Sequence, residues 1–562
     1  MPLPRVFAGP RKRWMLRLLI NGLGRAAAAF AIAWLMQRAL AELRHGSAGP
    51  GEGSGLALGG LVLAGGAVAA LRALERVDAE RLGQDYVMKV RLRIFGRVAR
   101  MPARGDRVER IGLTLTRLSN DLNSLKNWVS TGVARMTVAS VSVGGILAAL
   151  AWFDPLAALA STAVVLLCAA SGRALTPRLR GSVREARRRR GRLAGNLGEK
   201  VLAFATVRHF GRTLRERRRL RRQSQQLSDA LIRRMRLSGI LRALPEAAFP
   251  VAVALLISLA GLEGVAGAIP LGDLAVTILL LGMLIASLRD LAQAWDFRLS
   301  YEEGRRRIER ILASPRVREA KEPILLRGSG PLSVALRKLR LEGVFDEASA
   351  EARPGERVLV TGPTGAGKST LLRLVARLFD PDAGRIFLDG QRLRSVSLDS
   401  LHEAVQLVSP DLPLLRGSVA ENLAYGLAEA SPRGVAAAAA LCGLESGVLL
   451  PRGLDTRIRE NGENLPDGLR GRISLARAIA AGPRLLLVDD PVFQVDAEAR
   501  AALQRALAST PATVLLVGRE GDDLLAPDRI WRLGDGRIEV KRGSGGPAPQ
   551  RGGGAGRKAS GG

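Results

Sequence analysis

Cysteine and histidine are scarce in this 562-residue chain, with two and three copies. Cys168 and Cys442 lie far apart and supply no disulfide framework, and His45, His209 and His402 show no metal-ligand spacing. Acids are short as well, with 52 Asp and Glu against 85 Lys and Arg, for a net charge of +33. In a soluble protein that excess would point to nucleic acid. Here the charge alternates with long apolar blocks, which gives it another meaning. The length allows two or three domains.

Six stretches, near 18–40, 56–75, 133–152, 155–173, 244–262 and 271–291, are long and apolar enough to cross a bilayer, which takes about 20 residues each. One such stretch could be a core helix of a soluble protein, but six in succession argue for an all-α, six-helix membrane domain over residues 1–315. Between the fourth and fifth spans, Arg173 to Arg242 holds 22 Lys/Arg against four acids. The short turns "WFDP" and "GLEGVAGAIP" hold no Lys or Arg. Positive charge stays on the cytoplasmic side. Both termini and the basic segments are therefore expected inside a cell membrane, with the lipid bilayer and not nucleic acid as the partner of the charge. The first span, with "RKRWMLRLLI" before it and "ALA" after it, can also be read as a cleaved secretory signal.

The basic segments keep apolar residues at three- and four-residue steps, so they read as helical extensions of the spans. Some twenty helical residues reach about 30 Å beyond the membrane. Their tips fall near "RIGLTLTRLSNDLNSL" and "LAFATVRHFGRTL". Within the spans, Arg25 is expected to snorkel to the inner interface. Arg289 and Asp290 are expected as a local or solvated pair. Abundant Ala, Gly, Leu and Val suit close helix packing and leave the transported substrate unnamed.

Residues 316–331 form a linker, and from about Leu332 to residue 541 short apolar strands alternate with helices. That pattern implies an α/β domain built on a largely parallel sheet. The Gly/Pro/Ser-rich tail, 542–562, reads as disordered. Between the strand "RVLVTG" and the helix "KSTLLRLVARLF" stands "GPTGAGKST", which fits the phosphate-loop pattern in its confirming context. Gly362, Pro363, Thr364, Gly365, Ala366, Gly367, Lys368, Ser369 and Thr370 are the expected ATP phosphate ligands. Backbone N–H groups close around phosphate there, and the helix N-terminus adds its positive end. Lys368 carries charge to the β/γ oxygens, Ser369 offers its hydroxyl to Mg²⁺, and Asp489 at the end of "RLLLVDD" is the second Mg²⁺ partner.

These motifs, with "RENGENL", "RGRISLARAIAAGPRLLLVDD" and the two helical tips, resemble the ABC transporter family. The resemblance runs from about residue 15 to 540 and implies an exporter-type half-transporter, a six-span domain fused to a P-loop ATPase. It also implies that all six spans are needed, so the first is expected to be retained.

Five positions depart from the family pattern. The signature Leu-Ser-Gly-Gly-Gln, which faces ATP held by the opposite subunit, falls on Leu465-Pro466-Asp467-Gly468-Leu469. Leu465 and Gly468 keep their places, but Pro466 removes a hydroxyl and an N–H, and Asp467 sets negative charge where phosphate should dock. Asp490 replaces the glutamate that acts as general base, a shorter and weakened base. Gly518 stands at the switch histidine and Pro410 at the Mg²⁺-binding glutamine. No aromatic stands at the adenine-stacking position, Leu339 or Leu341. The resemblance thus implies an ATP- and Mg²⁺-binding exporter subunit whose own hydrolysis is impaired. A second half-transporter is the expected partner, with a heterodimer favoured and a homodimer open. The alternative is a non-transporting membrane subunit that binds ATP and regulates or scaffolds another chain.

Overall fold

The computed structural model describes residues 3–44, 52–102, 121–263, 271–427, 431–445, 447–489, 491–521 and 526–544. The chain divides near Ser314 into a helical unit and an α/β unit.

The helical unit contains α1 (Arg11–Arg44), α2 (Glu52–Val98), α3 (Asp121–Phe153), α4 (Pro155–Leu202), the short α5 (Phe204–His209), α6 (Thr213–Glu263) and α7 (Leu271–Ala313). Among the described residues, six of these helices are long and apolar enough to cross a membrane. Asp154 ends α3 and caps α4 by accepting from the Ala157 N–H at 2.9 Å, with Pro155 in the first turn. A missing N–H costs nothing at that position. Helices α1 and α2 run antiparallel along a polar ladder. Asn21 donates to the Leu71 carbonyl at 2.7 Å, and Arg11, Arg17 and Arg25 pair with Asp85, Asp78 and Glu75. Glycines let the helices approach closely, as small residues do in membranes. A Cβ on Gly145 would lie 2.3 Å from that of Ala26, and one on Gly83 would lie 2.6 Å from that of Ser130. Ser130 belongs to a π-helical turn, Trp128–Gly132, within α3.

The helical extensions are held by charge. Arg187 on α4 reaches Asp121 at 3.3 Å, Ser124 at 2.7 Å and the Ser300 carbonyl at 2.7 Å, and Arg234 on α6 pairs with Asp296 at 3.2 Å. The second tip is the α5 segment, with Leu202, Phe204, Phe210 and Leu214 exposed. The first tip, as far as Asn120, lies outside the described residues, as do residues 545–562 of the tail.

Two ionic pairings depend on the fold. Arg25 bonds Glu75 at 2.9 Å, with both side chains 14% exposed. Arg289 and Asp290 each find a partly exposed partner on another helix. Arg289 turns to Glu246 and Asp290 to Arg135, because consecutive helical residues point to different faces.

The α/β unit has an antiparallel sheet of order β2-β1-β4-β5 and a six-stranded sheet of order β12-β11-β3-β10-β9-β6. The first contains β1 (Val334–Leu341), β2 (Phe345–Ala352), β4 (Ala383–Leu388) and β5 (Gln391–Arg392). The second contains β3 (Arg357–Thr361), β6 (Val405–Val408), β9 (Leu485–Val488), β10 (Thr513–Val517), β11 (Arg529–Gly534) and β12 (Arg537–Arg542). A separate two-stranded ribbon pairs β7 (Gly417–Ser418) with β8 (Arg457–Ile458). All pairings in the larger sheet are parallel except β11 with β12. Its central strands β9 and β10 are buried at every residue but Val517, which is why "LLLV" and "TVLLV" carry no alternation. The helices are α8 (Lys368–Val375), α9 (Leu398–Ala404), α10 (Val419–Ala424), α11 (Pro432–Leu441), α12 (Asp467–Ala480), α13 (Val492–Val495) and α14 (Ala497–Ser509). Buried Arg377, after α8, donates to the carbonyls of Arg318, Leu393, Arg394 and Val396, fixing the first residues of the linker to the unit.

Candidate nucleotide site

Parallel strands β3, β10, β9 and β6 present their carboxyl ends along one edge, the place where open α/β sheets bind ligands. Gly362 leaves β3 there, Gly518 leaves β10, Asp489 leaves β9 and Ser409 leaves β6. Two backbone bonds hold the edge together. Asp489 N–H donates to the Val408 carbonyl at 2.8 Å, and Gly518 N–H to the Val360 carbonyl at 3.1 Å.

The loop from β3 to α8 needs its glycines. Gly362, Gly365 and Gly367 have φ of +143°, +88° and +93°, backbone conformations in which a side chain is strained. A Cβ on Gly362 would fall 2.4 Å from the Leu533 carbonyl oxygen, and one on Gly367 would fall 2.5 Å from Val344. Inside the loop, Ala366 N–H donates to Pro363 C=O at 3.1 Å. The first helical bond of α8 runs from Leu371 N–H to Gly367 C=O at 2.8 Å, and no side chain caps the helix. The N–H groups of Gly367, Lys368, Ser369 and Thr370 thus precede the intrahelical ladder, so the helix offers donors at its positive end. The Lys368 ammonium folds back over the loop and donates to the carbonyls of Gly362 at 2.7 Å and Pro363 at 3.0 Å. A cation that among the described residues is held only by its own loop's carbonyls, beside uncapped N–H groups, suits a polyphosphate with a counterion.

The turn between β1 and β2 closes through Val344 N–H to Leu341 C=O at 2.9 Å, with Gly343 at φ +70°. Leu339 and Leu341 are core residues, 0% and 6% exposed, so neither is presented to a base. Phe345, whose ring would lie 3.1 Å from a Cβ on Gly367, is also buried.

At the signature position, Leu465 is buried and its N–H donates to Gly462 C=O at 2.9 Å. Pro466 is the N-cap of α12 and contributes no side-chain cap. Asp467, the first helical residue, is 77% exposed at its side chain and pairs with Arg470. A carboxylate therefore already sits at the positive end of α12. Gly468 packs so tightly that a Cβ would lie 2.1 Å from a carboxylate oxygen of Asp496. Asp496 in turn caps α14 by accepting from Ala499 N–H at 2.7 Å. The sequence reading missed Asp496, although an Asp directly before an Ala-rich periodic run is an N-cap signal.

Pro410 is exposed, and the neighbouring Asp411 pairs with Arg373 on α8. A Cβ on Gly518 would meet Leu359 at 2.8 Å. Asp490 lies outside the described residues.

A P-loop between a parallel strand and a helix, joined in one chain to six membrane-length helices, defines a nucleotide-driven membrane protein. Comparison with known proteins makes the class specific. Residues 345–493 match the ABC transporter domain, and residues 17–288 match the ABC transporter transmembrane region. The chain is 29% identical to an ATP-dependent lipid A-core flippase of Thiobacillus denitrificans, over 81% of this chain and 80% of that one. It is also 29% identical to a fatty acid ABC transporter ATP-binding/permease protein of Mycobacterium bovis, over 82% and 74%. A bacterial Atm1-family ABC exporter solved with ATP bound shares the fold, with a TM-score of 0.85, 22% identity and 95% of each chain covered.

The chain belongs to the ABC transporter family. It is an ATP-binding, multi-pass membrane protein with the half-transporter architecture, whose members act as dimers.

Proposed function

We propose that this chain is one half of an ATP-driven exporter that holds MgATP firmly and splits it slowly on its own. The observation that carries the reading is the contrast between two helix N-termini. At α8, glycine-shaped backbone and Lys368 leave an uncapped positive end. At α12, Asp467 already supplies an anion and Pro466 lacks an N–H.

Gly362 to Thr370 would hold the phosphates, while Ser369 and Asp489 would hold Mg²⁺. The nucleotide supplies the triphosphate whose binding draws two such domains together and whose cleavage resets them. Lys368 would exchange its two loop carbonyls for phosphate oxygens. Asp490, in the place of the general base, would take the proton of the attacking water, with a reach one methylene shorter than glutamate. With glycine at position 518, no imidazole is available from there to orient the water.

A heterodimer suits this chain because a partner with an intact acid and histidine would keep one composite site competent. A homodimer would combine the same cradle with the same altered signature twice. The positive-inside pattern supports a cytoplasmic α/β unit and cytoplasmic termini. Relatives named for lipid A-core and fatty acids favour an amphiphilic cargo.

The test is steady-state turnover of the purified chain in lipid nanodiscs. Pro466→Ser with Asp467→Gly restores an N–H and removes a charge, and it should raise turnover by about tenfold or more, the scale of lost transition-state donors. An unchanged rate would refute the claim that α12 limits hydrolysis. Intact nucleotide binding by this chain, with an assembled partner complex whose export rate is unchanged by Pro466→Ser with Asp467→Gly, would favour the regulatory reading.

A further inference from the structure

Helices α1, α2, α3 and α7 line a half-open cavity of about 430 Å³ within the helical unit. Its lining follows one rule. On α1 it passes from Arg25 to Ala29, and on α2 from Arg72 to Val68. On α3 it passes from Ser142 to Ile146, and on α7 from Ser287 through Met283 to Leu279. Helices α1 and α3 run parallel, since Gly22 meets Val138 and Gly145 meets Ala26. Helix α2 runs antiparallel to α1, since Asn21 meets Leu71 and Gly60 meets Leu35. Helix α7 runs antiparallel to α3, since Trp128 stacks on Tyr301 and Arg135 pairs with Asp290. All four walls therefore change from polar to apolar in the same direction, within about one or two helical turns. The polar end faces the basic helical extensions.

Two further observations concern what the polar end would take. The Ser142 side chain is buried, and its hydroxyl has no hydrogen-bond partner among the described residues. The positive charge of Arg25 is neutralised by Glu75 at 2.9 Å, whereas Arg72 stands exposed at the cavity with no ion pair among the described residues. An ionisable group inside a membrane segment marks a ligand or transport path more often than a structural accident. One uncompensated guanidinium, an unpaired hydroxyl and an apolar far end match a single chemistry.

The geometry points to a binding site for an anionic amphiphile, with its carboxylate or phosphate head at Arg72 and Ser142 and its alkyl chain along Val68, Ile146 and Leu279. This rests on the export reading above and names its cargo class. Arg72 recognises the head by charge-assisted hydrogen bonds. Met283, flexible and polarizable, fits chains of differing shape.

The test uses the full chain in nanodiscs of zwitterionic lipid, with empty nanodiscs as the blank. Two fluorescent probes share one long alkyl chain, and one bears a carboxylate head, the other a trimethylammonium head. The carboxylate probe should bind at least about tenfold more tightly. Arg72→Gln should reduce that preference to near unity, while Arg72→Lys should keep most of it. Gly282→Leu fills the cavity at a position where a Cβ meets nothing within 4 Å, and it should weaken both probes. Equal affinity for the two heads, or a preference untouched by Arg72→Gln in protein of unchanged melting temperature, would overturn the assignment. So would full binding by Gly282→Leu. Nucleotide binding is measured on the same samples. Lost head-group preference with intact ATP binding sinks the cavity alone, and the converse sinks the nucleotide reading alone.

Discussion

At Gly468 the space for a side chain is set by a neighbour that the sequence places 28 residues away. A Cβ there would enter the Asp496 carboxylate, which caps α14. Gly468→Ala should therefore cost about 1 kcal/mol through the displaced cap. A melting curve of the full chain checks this, and Asp496→Asn, which keeps the capping oxygen, should change it much less. The thiol of Cys442 is fully buried, and burial, partly opposed by Arg505 and Arg472, pushes it up to about 12. The thiolate is the reacting form. At pH 8 Cys442 should therefore stay unlabelled by N-ethylmaleimide in the native protein and label only after denaturant is added, as mass spectrometry would read directly. Rapid labelling of folded protein would mean that α11 opens locally. The phosphate loop was legible at this scale because the strand, glycines and lysine occupy one uninterrupted stretch. Asp496 was not, because its meaning depends on a close approach between α12 and α14.

At the scale of elements, the six spans were legible because bilayer thickness dictates their length and composition. Their partners were not. Arg25 and Glu75 are 50 residues apart, and only the antiparallel register of α1 and α2 brings them to 2.9 Å. Removing one member of a largely buried pair strands the other charge, which costs more than removing both. Glu75→Gln should thus lower the melting temperature in detergent more than the double change Arg25→Gln with Glu75→Gln. A larger loss in the double variant would show that the pair acts through packing and not charge. The β1–β2 hairpin gives the same lesson. Its tight turn at Gly343 sets a register that buries Leu339 and Leu341, so the position sought for an adenine platform belongs to the core.

For the whole molecule, what the chain can accomplish depends on how its nucleotide domain works with a second one. The P-loop is self-contained, built from β3, its loop and α8. We propose that catalysis here would draw on the signature of one subunit and the cradle of the other, and that Asp467, Gly518, Pro410 and Asp490 weaken that arrangement. On this proposal, holding ATP is separate from splitting it. The most direct measurement is the fate of labelled ATP added with Mg²⁺ to the purified chain without any partner. Nucleotide should remain bound largely as ATP, released intact on denaturation, with retention lost in Lys368→Ala. Turnover above about 1 s⁻¹, the lower end of ordinary enzymes, and its loss in Asp490→Ala would contradict the account.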